Sequence, residues 1–320
     1  MLRGLAKLSN VLALTALTGI TSLLPLAPLG CGGGGGGAGA KEASIPGPLD
    51  IPVPPAPRDA AASPAMAAPT PPPAASSAIA EPPLVELTHE SLTITPAIQA
   101  IVDAKDRTDA DRKVDAGRHP AELLAFVGAP AGGKVAELGA GGGYTSELFA
   151  REVGSRGKVY GQNSKFLLER YAEKPWSERL KKPVMKNVVR LDRDFDDPFP
   201  GDVKNLDAVV INLFYHDTFW MNVDRAKMNA AIFAALKKGG VYVVIDHSGR
   251  PGTGATEAQS LHRIDERVVR SEVEKAGFKL VSDATFLRNP SDSRDWNASP
   301  MAAGEKRGTS DRFALKFVKP

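Results

Sequence analysis

The sequence predicts an α/β protein: a Rossmann-like, doubly wound sheet of seven strands with flanking helices, mostly parallel with an antiparallel last strand, after a disordered N-terminal tether. The runs "LDAVVINL" and "VYVVID" are almost continuously apolar, which is typical of central parallel strands covered on both faces. Strand-like and helix-like segments alternate through the C-terminal part of the chain. A glycine-rich turn, "ELGAGGG", joins the first strand to a helix, and such turns let a ligand approach the main chain.

The N-terminal part of the chain differs in composition from the rest. The 20 aromatic residues (12 Phe, 5 Tyr and 3 Trp) all lie at or after Phe126, and half of the 26 prolines lie between Gly32 and Pro83. Large side chains supply most of the buried area of a core. We therefore predict a packed domain over residues 95–320 and a Gly/Ala/Pro-rich disordered linker over 32–94. The net charge of +3 without a long basic run argues against a nucleic-acid partner.

The first 31 residues have the layout of a secretory signal. Two basic residues, Arg3 and Lys7, precede an apolar run that is interrupted by Pro25 and Pro28. The apolar stretch before Pro25 is shorter than the roughly 20 residues that a membrane span requires. A membrane-spanning anchor is the alternative.

The single cysteine, Cys31, ends this segment and excludes an internal disulfide. With Gly30 directly before it, the segment resembles the lipobox of bacterial lipoproteins, in which the cysteine is acylated and becomes the mature N-terminus. Pro28 stands where that motif usually has leucine. The resemblance implies an exported protein that is lipid-anchored to a bacterial membrane and faces the periplasm, with membrane contact only through this segment.

Each predicted helix and strand has a local signal. One helix is predicted to start after Thr95, with Pro96 in its first turn, and another opens at Pro120 and stops at Gly128. The stretch between them, "DRTDADRKVDAGRHP", is polar. Further helices are predicted over 144–152, 222–237 and 257–276. The glycines of "AALKKGG" should end the helix over 222–237 in a left-handed cap. Strands are predicted at Lys134–Leu138, Lys158–Gly161, Asn187–Leu191, Leu206–Leu213, Gly240–Asp246, Phe278–Phe286 and Phe313–Val318.

The glycine turn is the first candidate site. Gly139, Gly141 and Gly143 have the spacing G-x-G-x-G, and Glu137 lies two residues before the first of them. A dinucleotide-binding turn would carry its last glycine at the position of Tyr144, so the pattern differs from that fingerprint. The glycines allow a sharp bend and the close approach of a ligand, and a tight turn without a ligand is the alternative.

The stretch "VAELGAGGG" resembles motif I of class I S-adenosylmethionine-dependent methyltransferases, and the strand order, with "LKKGGVYVVID" fifth and "EKAGFKLV" leading into the sixth, fits that fold. The resemblance covers the chain from about Pro120 onward. The stretches "RHPAELLAFVG", "NLFYHDTFWM" and "RDWNASP" are similar to a group of predicted, often exported, bacterial methyltransferases. The resemblance implies S-adenosyl-L-methionine as cofactor and a small molecule or envelope component as methyl acceptor.

The resemblance also implies roles for single residues. The three glycines of the turn would lie under the methionine part of the cofactor, and Glu137 would orient the turn or a water near the amino group. The second strand of the family ends in an acid that binds the ribose hydroxyls, and here Gln162 or Asn163 takes that place without the charge. After the third strand, Asp192 or Asp194 would face the adenine amine.

Two histidines follow the fourth and fifth predicted strands, where the ligand crevice of an open α/β sheet lies. They are His216, next to Asp217, and His247, next to Asp246. Methyl transfer to a hydroxyl or amine needs alignment of the acceptor and a base for its proton. We therefore predict His216, Asp217 and His247 as catalytic residues and assign Asn212, on the fourth strand, to the cofactor. A pocket-wall role is the alternative for either histidine.

The long stretch that joins the sixth strand to the last leaves the sheet on the side of the crevice. It is either a lid or a surface loop with local ion pairs. As a lid, it would contact the ligand through Arg294, Trp296, Asn297 and Arg307.

Two other functions stay open: a methyltransferase-fold binding protein without catalysis, which the missing ribose acid favours, and a metal-dependent hydrolase. The hydrolase would use His119, His216, His247 and His262. No two of these histidines have the i, i+4 spacing that is common in helical zinc sites, so we predict no metal ligand.

Overall fold

The structure, a computed structural model, describes residues 89–320. The predicted signal segment, Cys31 and the predicted linker up to residue 88 lie outside the described residues. Within 89–320, no helix combines the length and the apolar character that a membrane span requires.

Seven strands form one sheet. They are β1 (Lys134–Leu138), β2 (Lys158–Asn163), β3 (Val188–Asp192), β4 (Leu206–Asn212), β5 (Leu236–His247), β6 (Lys279–Ala284) and β7 (Arg312–Val318). Their order in the sheet is β3-β2-β1-β4-β5-β7-β6. Strands β1 to β5 pair in parallel, and β7 is antiparallel to both β5 and β6. The predicted doubly wound sheet with an antiparallel last strand is confirmed.

Nine α-helices accompany the sheet in the described part of the chain. They are α1 (Pro96–Val102), α2 (Asp109–Arg118), α3 (Pro120–Val127), α4 (Tyr144–Val153), α5 (Lys165–Leu167), α6 (Glu173–Leu180), α7 (Asp217–Trp220), α8 (Arg225–Ala235) and α9 (Glu266–Lys275). A short π-helix continues α5, and two short 3₁₀ turns lie at Pro183–Asn187 and Gly304–Lys306.

The two faces of the sheet bury separate apolar clusters. In β4, Val209 and Ile211 belong to one cluster, whereas Ala208 and Val210 belong to the other. Neighbouring side chains of a strand point to opposite faces, so a strand that is buried on both sides has to be apolar at every position. The continuous apolar runs of β4 and β5 follow from this burial.

Three of the predicted helix signals are confirmed. Thr95 caps α1, since its hydroxyl oxygen accepts a hydrogen bond from the Ile98 N–H at 3.2 Å. Helix α3 begins at Pro120 and ends at Gly128, whose φ of 66° closes it in the left-handed conformation. Pro and Gly therefore mark the two ends of α3 as their backbone preferences predict.

The polar stretch before Pro120 forms helix α2, for which the sequence predicted no element. Asp115 accepts two hydrogen bonds from the Arg107 guanidinium, at 2.7 and 2.8 Å. Asp111 accepts two from Arg179 of α6, at 2.7 and 2.9 Å. Ion pairs hold this helix in place of an apolar stripe, which is why a search for periodic apolar residues misses it.

The end of the helix predicted over 222–237 was wrong. Helix α8 ends at Ala235, and Leu236 is already extended at the start of β5. Gly239 does have a left-handed φ of 74°, but it lies within extended chain, where its N–H donates to the Lys319 carbonyl oxygen at 2.8 Å. Helix α9 also starts late, at Glu266 behind its N-cap Asp265, so the first turns of the helix predicted over 257–276 do not form.

Contacts with the sheet begin upstream of the predicted domain start at residue 95. The His89 ring nitrogen Nδ1 lies 2.8 Å from the Asp283 carboxylate of β6. Glu90 binds the Lys316 ammonium of β7 at 2.7 Å. The last residues assigned to the linker, 89–94, therefore include chain that pairs with the sheet edge.

Glu152 on α4 gives the fold a pH-dependent stability. Burial raises the pKa of Glu152 to about 8, and its buried Oε2 has no hydrogen-bond partner among the described residues. Ionisation is therefore disfavoured in the folded state, so the protein should lose stability as the pH rises from about 4.5, where the unfolded chain ionises, to about 8. We expect Glu152→Gln to unfold at higher urea concentration than the wild type, with a gap that is small near pH 4.5 and largest above pH 8.

The matched control is Glu169→Gln, which alters an exposed carboxylate. Urea denaturation at pH 5 and pH 8.5 checks the prediction. A gap for Glu152→Gln that does not grow with pH contradicts it.

Candidate active site

The glycine turn lies where the strand order of the sheet reverses. Strands β1 and β4 are neighbours, and β2 and β5 lie on opposite sides of this pair. In open α/β sheets, ligands bind in the crevice beyond such a switch point. Gly143 is the N-cap residue of α4 and has no side chain that could cap this end of the helix. The first N–H groups of α4 thus make the crevice favourable for an anionic group.

The three glycines have different surroundings, although all have left-handed φ angles, between 55° and 80°. A methyl group at Gly139 would lie 2.9 Å from the Phe214 ring. One at Gly143 would overlap the indole of Trp176. At Gly141 no atom lies within 4 Å of the added group. Only Gly141 faces open space, whereas all three glycines were expected beneath the cofactor.

Two amide side chains at the end of β2 hold the turn. The side-chain Oδ1 of Asn163 accepts a hydrogen bond from the Gly141 N–H at 2.8 Å, and its Nδ2 donates to the Gly141 backbone carbonyl oxygen at 3.1 Å. Gln162 accepts the Gly139 N–H at 3.1 Å and donates to the Arg193 carbonyl oxygen. Both amides are fully buried. An amide can donate and accept hydrogen bonds at the same time, which a carboxylate cannot do. The end of β2 therefore holds the glycine turn and does not offer a charged group to a ligand.

Glu137 ties β1 to α4. The Ser146 hydroxyl donates to Glu137 Oε2 at 2.5 Å. Burial raises the pKa of Glu137 to about 7, against the hydrogen bonds of Ser146 and Thr145, which lower it. Asn212, at the end of β4, donates to the Thr145 hydroxyl at 3.4 Å. Glu137 and Asn212 both contact the first turn of α4, next to the glycines.

Arg118 is a cation without a hydrogen-bonded anion in the described residues. Its guanidinium lies 5.1 Å from the centre of the Tyr144 ring, at the first residue of α4. Arg312, nearby, donates only to backbone carbonyl oxygens. Burial lowers the pKa of Arg118, and it lowers that of Arg312 to about 10. Cations to which no carboxylate of the described residues is bonded favour the binding of an anion.

A cavity of about 390 Å³ lies beside the ends of β2 and β3. Its lining includes Asp194 and the residues Ser164, Phe166, Phe195, Asp196, Trp220, Met221, Asn222 and Val223. Asp192 instead pairs with the Arg190 guanidinium at 2.7 Å. Of the two aspartates that the sequence left open, Asp194 is the one at the cavity.

Beyond β4 and β5, the Asp246 carboxylate organises the predicted reaction centre. Asp246 is fully buried and accepts three hydrogen bonds, from the His216 N–H and Nδ1, both at 2.7 Å, and from the His247 N–H at 2.8 Å. Burial alone would lower the pKa of His216, but the charges of Asp246 and Asp217 outweigh it and raise that pKa to about 10. His216 is thus buried between two carboxylates, one of which is Asp217, the neighbour with which it was predicted to act.

The other ring nitrogen of His216 belongs to a triangle of donor atoms. His216 Nε2 lies 3.2 Å from Asp217 Oδ1 and 3.1 Å from His262 Nδ1. His262 Nδ1 lies 3.1 Å from the same Asp217 oxygen. Trp220 donates its indole N–H to that oxygen at 2.8 Å. His262, which the sequence placed in the helix predicted over 257–276, lies in the turns before α9 and joins the centre from there.

His247 has a different environment, although its ring centre lies only 5.8 Å from that of His216. Its Nδ1 lies 2.7 Å from the Ser310 hydroxyl, and no hydrogen bond to Nε2 occurs in residues 89–320. Burial lowers the pKa of His247 well below its usual value, and the neighbouring cations add to this effect. His247 is therefore a neutral imidazole.

Internal ion pairs hold the long stretch between β6 and β7. Arg263 is fully buried, pairs with Asp292 at 2.8 Å and donates to the Trp296 carbonyl oxygen at 3.0 Å. Arg294 pairs with Asp311 at 2.7 Å. The stretch thus has the local ion pairs that were expected of a surface loop. It also contacts the predicted reaction centre, because the Ser310 hydroxyl lies next to the His247 ring.

Sequence reasoning did not assign Arg118, Asp246 or Ser310 to the site. Asp246 was noted only as a neighbour of His247, and Arg118 and Ser310 lie in segments without a strand end. Arg118 is identified by the lack of a bonded anion in residues 89–320, Asp246 by the three hydrogen bonds that it accepts, and Ser310 by the short contact of its hydroxyl with the His247 ring. These features are visible only in the three-dimensional structure.

No protein-family model matches the chain, and no curated protein matches it either. Among solved structures, the chain is similar to a SAM-dependent methyltransferase from Aquifex aeolicus, with 17% identity over 70% of this chain and 98% of that one and a TM-score of 0.48. It is similar to geranyl diphosphate C-methyltransferase from Streptomyces coelicolor A3(2), solved with S-adenosyl-L-homocysteine, with 17% identity, coverage of 73% and 92%, and a TM-score of 0.48. It is also similar to Aeropyrum pernix fibrillarin, solved with natively bound S-adenosyl-L-methionine, with 15% identity, coverage of 66% and 76%, and a TM-score of 0.42.

The different surroundings of the glycines predict different costs of substitution. Gly143→Ala should lower the free energy of unfolding by about 2–4 kcal/mol, because the methyl group overlaps Trp176 and the left-handed backbone is strained. Gly141→Ala has only the backbone cost, about 1–2 kcal/mol. Chemical denaturation of both variants checks the order, and equal losses would contradict the assignment of Gly143 to packing.

Proposed function

We propose that the protein is an S-adenosyl-L-methionine-dependent methyltransferase that acts on a small molecule or an envelope component. The observation that carries the proposal is the open glycine position Gly141, at the switch point of the sheet. At Gly141 no atom lies within 4 Å of an added methyl group, Arg118 lies beside the first residue of α4 without a bonded anion in residues 89–320, and Ser164, which follows Asn163, lines the cavity of about 390 Å³. This arrangement offers an anion site and an acid-lined hollow next to one turn, as a ligand with an amino-acid part and an adenosine part requires.

The amino-acid part of the ligand fits the N-terminal end of α4. Its carboxylate would bind the N–H groups behind Gly143 and the guanidinium of Arg118, because both attract a negative charge. Arg118 would supply the charge-assisted hydrogen bonds that it lacks within the protein.

The adenosine part fits the cavity beside β2 and β3. Gln162 and Asn163 bond the turn and Arg193 with both ends of their amides, so they are not free to bind ribose. Asp194 and Asp196 line the cavity and can accept hydrogen bonds from ribose hydroxyls or the adenine amine. Phe166 and Trp220 provide apolar walls for the base.

The bound cofactor supplies the electrophilic methyl group, and the chain has to align the acceptor and take its proton. His247 is the better placed of the two histidines. Its Nδ1 can donate to Ser310, which leaves the lone pair on Nε2, the nitrogen without a partner in the described part of the chain. In His216, by contrast, Nδ1 is bonded to Asp246, and Nε2 lies within 3.2 Å of both Asp217 and His262.

Calorimetric titration of the full-length chain with S-adenosyl-L-methionine and S-adenosyl-L-homocysteine tests the proposal. We expect binding at submillimolar concentration, weakened about tenfold or more by Arg118→Ala and by Asp194→Ala, because each removes a charge-assisted hydrogen bond. Gly141→Val should abolish it by filling the open space. Asp192→Ala, two residues from Asp194 but paired with Arg190, is the matched control and should bind normally.

The absence of binding by the wild type up to millimolar cofactor would contradict the proposal and favour the binding protein without catalysis. Binding that is equally weakened by Asp194→Ala and Asp192→Ala would contradict the placement of the adenosine part.

We further propose that the chain is exported and anchored through a lipid on Cys31. The signal-like segment before it and the glycine next to it support this proposal. Cys31→Ala should move the protein from the membrane to the soluble fraction of the cells, because one acyl-bearing residue is lost. Mass spectrometry of the N-terminal peptide checks the modification, and an unmodified cysteine in membrane-extracted protein contradicts it.

A further inference from the structure

Three side chains from two separate segments bring one donor atom each to a common point. His216 and Asp217 follow β4, and His262 lies in the turns before α9. The three donor atoms lie 3.1, 3.1 and 3.2 Å apart. We propose that His216, Asp217 and His262 bind a divalent first-row transition-metal ion.

The triangle has the dimensions of one face of a coordination sphere. Nitrogen and oxygen ligands lie about 2.0–2.2 Å from such an ion, which places neighbouring ligands about 3.0 Å apart in octahedral and about 3.4 Å apart in tetrahedral coordination. All three observed separations fall between these values. The spacing of the three donor atoms therefore fits a single ion that is bound to all of them.

The hydrogen bonds around His216 leave a place for a cation. The Asp246 carboxylate only accepts, so His216 Nδ1 carries the hydrogen between them. His216 Nε2 can bond the Asp217 oxygen only while it carries the second proton of the charged ring. An ion at the centre would replace this proton and would bind the lone pairs of His216 Nε2 and His262 Nδ1 together with the Asp217 oxygen.

The surroundings of the triangle match the outer shell of a metal site. A carboxylate commonly accepts the second N–H of a metal-binding histidine and fixes its ring, as Asp246 does for His216. The Trp220 indole N–H bonds the Asp217 oxygen and fixes that ligand. Asp246 is fully buried, so turning the His216 ring away would leave a buried carboxylate oxygen without this hydrogen bond.

His262 reaches the triangle through an unusual backbone. Its φ is 50°, in the left-handed region that residues with a β-carbon rarely adopt. The neighbouring Arg263 is fully buried and paired with Asp292, which holds the turn in this conformation. Strained backbone of this kind clusters at functional sites, where the surrounding structure imposes it.

Two imidazoles and one carboxylate favour Zn²⁺, Fe²⁺ or Mn²⁺ over Mg²⁺ and Ca²⁺, which prefer all-oxygen sites. Three protein ligands leave further coordination positions to water or to an oxygen of another molecule. Trp220 both bonds Asp217 and lines the cavity of about 390 Å³, so the ion would lie next to that cavity. The metal site does not depend on the proposed methyltransferase activity.

Cobalt is the probe for the test, because Co²⁺ bound by nitrogen and oxygen has visible absorption bands. The full-length chain, stripped with chelator, is titrated with Co²⁺ and separately with Zn²⁺ in competition. We expect saturation at one ion per chain. His262→Asn, which keeps a residue that tolerates the left-handed backbone, should weaken binding at least about 100-fold. Asp246→Asn should weaken it about 10–100-fold by removing the negative charge of the outer-shell acceptor.

His89→Ala is the matched control, since it removes a histidine that also contacts an aspartate but lies outside the triangle. It should bind Co²⁺ like the wild type. Circular dichroism confirms that each variant is folded. No saturable binding by the wild type, or equal binding by His262→Asn, overturns the proposal. The titration contains no S-adenosyl-L-methionine, so its failure and the failure of cofactor binding are separate results.

Discussion

The packing of Trp176 against two glycines is the constraint on which the crevice depends. Trp176 is fully buried, and its ring takes the space that a side chain at Gly143 or Gly161 would need. Gly143 lies in the turn after β1 and Gly161 lies in β2, so the indole joins α6, the turn and the sheet. The buried amides of Gln162 and Asn163 then bond the turn from β2. Gly141 is left as the position that a ligand can approach.

A single buried carboxylate separates the two histidines at the strand ends. Asp246 bonds the His216 ring and the backbone N–H of His247, but it does not bond the His247 ring. The pKa of His216 is therefore raised, whereas burial and the neighbouring cations lower that of His247. One histidine is suited to hold a cation or a proton, and the other is suited to stay neutral beside the crevice.

The elements that the sequence predicted well are those with a local cause. The bounds of β1 were predicted to the residue, because glycine lies directly before and directly after this short stretch. The helix over 257–276 was predicted too long, since its first turns are held by the buried Arg263 and its partner Asp292 in a path that residue periodicity does not describe. Helix α2 was missed because ion pairs stabilise it.

The sequence by itself determined the class of fold, the positions of most strands along the chain and the place of the glycine turn, because these follow from apolar periodicity and from backbone preferences over a few residues. Only the tertiary structure decided that Asp194 lies at the cavity, that no anion within residues 89–320 bonds Arg118, and that His262 lies next to His216 and Asp217. Those outcomes depend on which distant side chains the loops bring together. The spacing of residues along the chain does not predict such contacts.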